Sequence, residues 1–492
     1  MKKPFTLLLA LLMASTTLLT ACGGGDSTAT PNDTTANAGE TEAAETTAEP
    51  EYVFPNYKFD GANFNIMHTD TQNWGFSCAI LAEEENGDIV NDTRYAVNTR
   101  VEEQFDLKLT AEAVWIRDIA AKMLNTVLAG EDAYDYGILP CSAFGTVELF
   151  DAVYELTQFE EIHADSPWWD ANVAKAQSYV TGDERYFLGG SVSLITAEDT
   201  MCLFFNEDMI KDLNLEMLYD VVRRGEWTID KLIEYCTAAA NLNGDDSFAF
   251  DPAKNAVYGM STWATGARAI LTGMDNPYTA FDPATDKPIM NLENDHFISS
   301  VEKAAIFHST AGLVVNTNSG GSGAPTHYET VFKNGRAMFT CAQLKAALTY
   351  RDMEDTFGVV PLPKFDAKQE NYYAHCTTNT QVHVIPNTIK EVEATAAVMD
   401  AMAYLAYSEL MPAYWNINME QKQLRNDDSI EMLGIIQANR AFDISNCFGW
   451  FNTVATPITD AILAGNTSVS STVAANKAAI EAAIEKTLTA ME

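Results

Sequence analysis

Asn63-Phe64-Asn65-Ile66-Met67-His68 reads as a β-strand, and the segments around it decide the fold class. Residues 69–77 follow as a polar loop that carries Trp74. Val97, Val101 and Phe105 then recur at four-residue spacing, which returns a side chain to the same face of an α-helix. Leu107-Lys108-Leu109-Thr110 alternates as a short strand. Ile116, Ile119, Ala120, Met123, Leu124, Val127 and Leu128 form an apolar face with a period of about 3.6 residues. Gly130 closes that helix, because the left-handed turn after a last helical residue suits glycine. Tyr134-Asp135-Tyr136-Gly137-Ile138-Leu139-Pro140 is the next strand. This βαβαβ order predicts a doubly wound α/β body.

The rhythm recurs further along. Thr228 is the expected N-cap of a helix with Ile229, Leu232, Ile233 and Cys236 on one face. Phe332-Lys333-Asn334-Gly335 ends another helix and releases a strand from Arg336 to Cys341. No fixed-period repeat is visible.

Composition narrows the function classes. A length of 492 residues corresponds to about three domains, or two large ones. With 30 Lys and Arg against 69 Asp and Glu, the net charge is −39, the opposite of what a nucleic-acid backbone requires of a partner. Hydrophobic residues at 47% supply a large core and exclude global disorder. The 8 cysteines include no C-x-x-C pair, so neither a zinc ribbon nor a disulfide scaffold is indicated.

The first segment has the layout of an address. Lys2 and Lys3 precede a leucine-dense apolar run, the charged and hydrophobic regions of an export signal. The run ends in Leu19-Thr20-Ala21-Cys22, which resembles the bacterial lipobox. That resemblance makes residues 1–21 a lipoprotein signal peptide and Cys22 the lipidated N-terminus, and two acyl chains hold a protein stably to a membrane. Residues 23–50 contain six acids, no base and no large apolar side chain, so they are expected to be a disordered tether. Cys22 aside, the remaining cysteines are odd in number, and buried reduced thiols are the expected state.

Catalytic signatures are missing. There is no G-x-S-x-G elbow, no H-E-x-x-H, no P-loop and no G-x-G-x-x-G after a strand. The seven histidines show no metal-ligand spacing. A glycosidase carboxylate pair has no local signature, so an anchored extracellular glycan hydrolase stands as an alternative. Asn241-Leu242-Asn243-Gly244-Asp245-Asp246 resembles a calcium loop with three departures: Asn at position 1, Asp246 where the turn glycine belongs, and Pro252 at position 12. A polar turn is the favoured reading, with no metal and no cofactor.

Several stretches together resemble the family 1 extracellular solute-binding proteins, the ligand-capturing lipoproteins of ABC importers. They are Phe205-Asn206-Glu207-Asp208, Trp227-Thr228-Ile229-Asp230-Lys231-Leu232, Phe332-Lys333-Asn334-Gly335-Arg336-Ala337-Met338 and Phe357-Gly358-Val359-Val360-Pro361-Leu362-Pro363. Glu207 stands where the family usually has Lys. Pro167-Trp168-Trp169-Asp170 and the Asn-Gly-Asp loop also resemble a branch common in anaerobic Gram-positive bacteria. The resemblance implies a two-lobed periplasmic-binding-protein-like fold, each lobe a sheet flanked by helices, joined by a hinge of crossing segments. It places the crossings near 191–204, 357–361 and 407–414. The N-lobe would then hold 51–195 and 361–408, and the C-lobe 196–360 and 409–492.

In such a fold the ligand sits beyond the carboxyl ends of the strands. That logic nominates Thr69, Asp70, Trp74, Ser142, Phe144, Asp199 and Gln343, and polar contexts add Trp169, Trp263 and Trp450. Sugar rings stack on tryptophan while their hydroxyls need Asp, Asn or Gln acceptors. Trp74 and Trp450, each beside a glycine, are expected to project from loops on opposite sides of the cleft. The expected function is non-enzymatic: a monomer anchored on the extracellular face of the membrane, binding a small solute, best matched by a mono- or oligosaccharide, and delivering it to ABC permease subunits. A surface adhesin or sensor is the further alternative.

Overall fold

The computed structural model describes residues 52–285, 287–317, 327–415 and 426–491, so the signal, Cys22 and the acidic tether lie outside the described residues. Two mixed sheets, each flanked by helices, form the body. In the first, the strand order is Leu107–Trp115, Ala62–Asp70, Tyr136–Pro140, Gln381–Val384, Leu188–Gly189. Ala62–Asp70 runs parallel to both of its neighbours, as the βαβαβ reading requires, with Ile66 opposite Ala111 on one side and Tyr136 on the other. Helix Ile89–Phe105 buries Val97, Val101 and Phe105. Helix Ile119–Leu128 buries Ile119 and Met123, and Gly130 follows at φ +68°, a value that favours glycine.

The second sheet has seven strands. Arg440–Ala441, Ala374–His375, Met201–Asn206, Ala337–Gln343, Tyr258–Thr262 and Val314–Asn316 lie in that order, and Phe357–Val360 pairs with the far half of Met201–Asn206. Met201–Asn206 is buried throughout; Met201–Phe205 is an uninterrupted apolar run, and Asn206 ends it by capping the helix that follows. Thr228 caps helix Ile229–Ala239 by accepting from the Lys231 amide, as expected.

Sheet membership relocates one crossing. Ala374–His375 pairs with Met201 and with Arg440–Ala441, so residues 361–375 belong with the second sheet. The chain passes back to the first sheet between His375 and Gln381, not near 357–361. Around 407–414 the chain stays with the first sheet's helices: a π-helical stretch, Ala406–Leu410, continues helix Val392–Leu405, and Glu409 pairs with Arg100 of helix Ile89–Phe105. The described chain resumes at Asn426, whose amide nitrogen donates to Glu207 beside the second sheet.

Two sequence motifs have well-defined contacts in the structure. Asp245 accepts from the amides of Asn255 and Ala256, and Asp246 pairs with Lys254, so both carboxylates of the Asn-Gly-Asp loop are engaged within a polar turn. The indole nitrogens of Trp168 and Trp169 both donate to one oxygen of the fully buried Asp400, each at 2.9 Å, and His163 donates to the same carboxylate through its backbone and its ring. The seven described cysteines are free thiols, six of them buried.

Candidate functional site

The carboxyl ends of Ala62–Asp70 and Leu107–Trp115 bring three side chains together. Trp74 ends a short 3-10 turn, Gln72–Trp74, and Gly75 follows at φ +78°, where only glycine turns without strain. The Trp74 ring is 36% exposed and meets Trp115 edge to face, with centroids 5.2 Å apart. The Arg117 guanidinium lies 5.9 Å from the Trp74 ring and 5.8 Å from Trp115, within cation–π range of both. This is an exposed aromatic wall held at one angle by its own packing.

The second sheet answers from its own strand ends. Lys345, two residues past the end of Ala337–Gln343, donates to the Trp74 carbonyl and lies 4.1 Å from the centroid of the Phe76 ring. Burial lowers the affinity of its amine for a proton, and the nearby Glu329, Asp199 and Glu198 oppose that shift. Trp263, the residue before helix Ala264–Gly273, is half-buried and stacks on Tyr328 at 4.5 Å and 20°. Glu198 accepts from both the amide (2.7 Å) and the hydroxyl (2.5 Å) of Ser77, fastening the first-sheet loop to the crossing segment.

Asp199 sits where the crossings meet. Thr377 and Asn379, on the crossing back to the first sheet, donate to it at 2.5 and 3.2 Å, and Gln343 donates at 2.6 Å from the second sheet. Burial pushes its carboxyl up to about 6, against the pull of the hydrogen bonds from Thr377, Asn379 and Gln343. A carboxylate that joins two crossings and a strand end ties these segments together, and its charge acts on Lys345, which contacts Trp74.

The nominated residues therefore divide. Asp70, Trp74, Ser142, Asp199, Trp263 and Gln343 lie at strand ends or crossings; Ser142 is exposed, and Asp70 accepts from the Gln72 amide. Thr69, Phe144, Trp169 and Trp450 are packed inside. Thr69 donates to the Ile138 carbonyl. Phe144 packs on Phe187 with centroids 4.4 Å apart. Trp169 is bound to Asp400. The expectation of a projecting Trp450 is corrected: it opens helix Trp450–Leu463, is 1% exposed, and donates its indole nitrogen to Thr487 of the C-terminal helix Val469–Met491.

Sequence reading missed Trp115, Arg117, Glu198, Tyr328 and Lys345. Trp115 had a signal: the alternation beginning at Leu107 continues through small alanines, and the strand runs to Trp115 rather than stopping at Thr110. Lys345 had none, since its role depends on a loop about 270 residues away. Among the described residues no group of three or more His, Cys, Asp or Glu is placed to hold a metal ion, and no helix is long and apolar enough to cross a membrane.

Two helix-flanked mixed sheets, linked by crossings and meeting at their strand ends, match the periplasmic-binding-protein fold. Particular solved structures carry the comparison. The chain is similar to the cyclic α-maltosyl-1,6-maltose binding protein of Arthrobacter globiformis, at a TM-score of 0.58 and 12% identity over 87% of this chain and 100% of that one. It is similar to an ABC substrate-binding protein of Listeria monocytogenes in complex with cycloalternan, at 0.55 and 12% over 86% and 99%. It is also similar to UgpB of Mycobacterium tuberculosis in complex with glycerophosphocholine, at 0.55 and 14% over 80% and 95%. No protein-family model matches the sequence, and no curated protein matches it.

Proposed function

We propose that this protein is the non-enzymatic substrate-binding subunit of an ABC importer, and that it captures a carbohydrate between two lobes by hinge closure and passes it to permease subunits. Lipidation at Cys22 and the acidic tether would hold it as a monomer on the extracellular face of the membrane. The observation that carries the reading is the strand-end arrangement. Trp74 and Trp115 offer rings at the first sheet's strand ends and Trp263 with Tyr328 at the second's, while Asp70 and Ser142 add polar groups at the first sheet's strand ends and Asn379 adds one on the crossing. Apolar C–H faces of a sugar stack on such rings and its hydroxyls need such partners. The fold alone does not select a sugar, since UgpB of Mycobacterium tuberculosis is bound to glycerophosphocholine; the aromatic rings at the strand ends are what favour one.

A thermal-shift screen across mono- and oligosaccharides tests it. A cognate sugar at a hundred times its Kd stabilises the native state by about 2.7 kcal/mol, a rise readily seen in the melting temperature. For that sugar, Trp263→Ala should weaken binding by about 1–3 kcal/mol, the value of burying one large side chain, with little change in the ligand-free melting temperature because the ring is only half-buried. Wild-type affinity in Trp263→Ala would remove that wall from the site.

A further inference from the structure

A cavity lies where Leu188–Gly189 and Arg440–Ala441, an edge strand of each sheet, come together, away from the Trp74–Trp115 edge of the first sheet. Its volume is about 520 Å³. Helix Ala171–Thr181, packed on the edge strand Leu188–Gly189, forms one side, and residues around Arg440–Ala441, the edge strand of the second sheet, form the other. The Trp74–Trp115 wall belongs to the far edge of the first sheet, across its full width. The crossing segment stands between the two places: His375 lines the cavity, while Thr377 and Asn379 turn to Asp199.

The lining is built for a ring. Tyr179 of the helix stacks on Phe281 of the hairpin Thr279–Asp282/Lys287–Met290, centroids 5.2 Å apart and planes 28° apart. Tyr373 and Phe442 add two more half-buried rings. The inner charges are already satisfied. Arg440 pairs with Asp170. Asp443 accepts from the amides of Tyr278, Thr279 and Ser445 and from the Thr279 hydroxyl. A charged ligand would be buried without a counter-charge to meet it, at a cost a neutral one avoids. At the exposed rim Lys175 and Asp275 have opposite signs and select neither anion nor cation. The volume falls within the about 300–1,000 Å³ of small-molecule sites.

We infer that this cavity is a second solute site, separate from the strand-end cleft, and that it takes a neutral hydroxylated ring compound of monosaccharide size. The inference does not depend on what the cleft binds. The test uses the full chain carrying Trp263→Ala, so that the cleft's contribution is reduced, with D-glucose as the probe and saturation-transfer NMR as the readout. Transfer to glucose should be present, should fall at least fivefold on adding Tyr179→Ala or Phe442→Ala, and should survive Tyr179→Phe, which keeps the stacked ring. No transfer in the Trp263→Ala protein, or transfer unchanged by both Tyr179→Ala and Phe442→Ala, would overturn the site.

Discussion

Replacing Asp400 with alanine should lower the unfolding free energy by about 3–5 kcal/mol, because a buried charge-assisted hub is lost and its donors are stranded. Asp400 is wholly inaccessible and takes the indole N–H groups of Trp168 and Trp169, the His163 amide and the His163 ring. The two indoles are themselves buried and cannot turn to water. Around this hub Tyr52 stacks on Tyr404 at 4.4 Å, so the start of the described chain is tied to helix Val392–Leu405 through the same cluster. Urea unfolding followed by tryptophan fluorescence measures the effect. A loss below about 1 kcal/mol, the value of a single ordinary hydrogen bond, would show that the donors find other partners.

Asp199 should give the second largest effect, and it should depend on pH. Its carboxyl is raised from 3.8 to about 6 in the folded state. The folded protein therefore holds a proton that the unfolded chain has released over this interval. The stability contributed by the protonated form is complete below pH 3.8 and is lost as pH rises through about 6. The swing is about 3 kcal/mol, at 1.36 kcal/mol per pKa unit. Asp199→Asn mimics the protonated carboxyl at every pH. The unfolding free energy of Asp199→Asn minus that of wild type should accordingly rise by about 2.4 kcal/mol between pH 4, where part of the swing is already lost, and pH 7. Taking the difference cancels the surface carboxylates whose affinities shift the other way, such as Asp208 beside Thr356. A difference that stays flat with pH would mean that Asp199 ionises alike in the folded and unfolded chain.

What was legible in the sequence was local. Helix Ile89–Phe105 and strand Ala62–Asp70 announce themselves because burial of one face repeats along a contiguous segment. The crossings do not, because they are defined by pairing between distant segments. Ala374–His375 is only two residues long, and its membership of the second sheet rests on Met201 and Arg440. The tryptophans make the same point within the site. Gly75 and Gly449 both adopt positive φ, +78° and +70°, so the turn beside each tryptophan was readable. The direction of the ring was not: Trp74 closes a 3-10 turn at the surface, whereas Trp450 opens a helix whose inner face meets Thr487. Asp199 could be nominated from its place on the first crossing, yet its partners Thr377 and Asn379 stand 178 and 180 residues away.

Hydrogen–deuterium exchange with and without the sugar that gives the largest thermal shift tests the central claim most directly. If solute is held between the two sets of strand ends, backbone amides in residues 70–77, 263–266 and 343–347 should all gain protection at saturation, since both walls close on one ligand. Protection confined to one sheet's strand ends, or a bound sugar that leaves all three segments unchanged, would contradict capture between them.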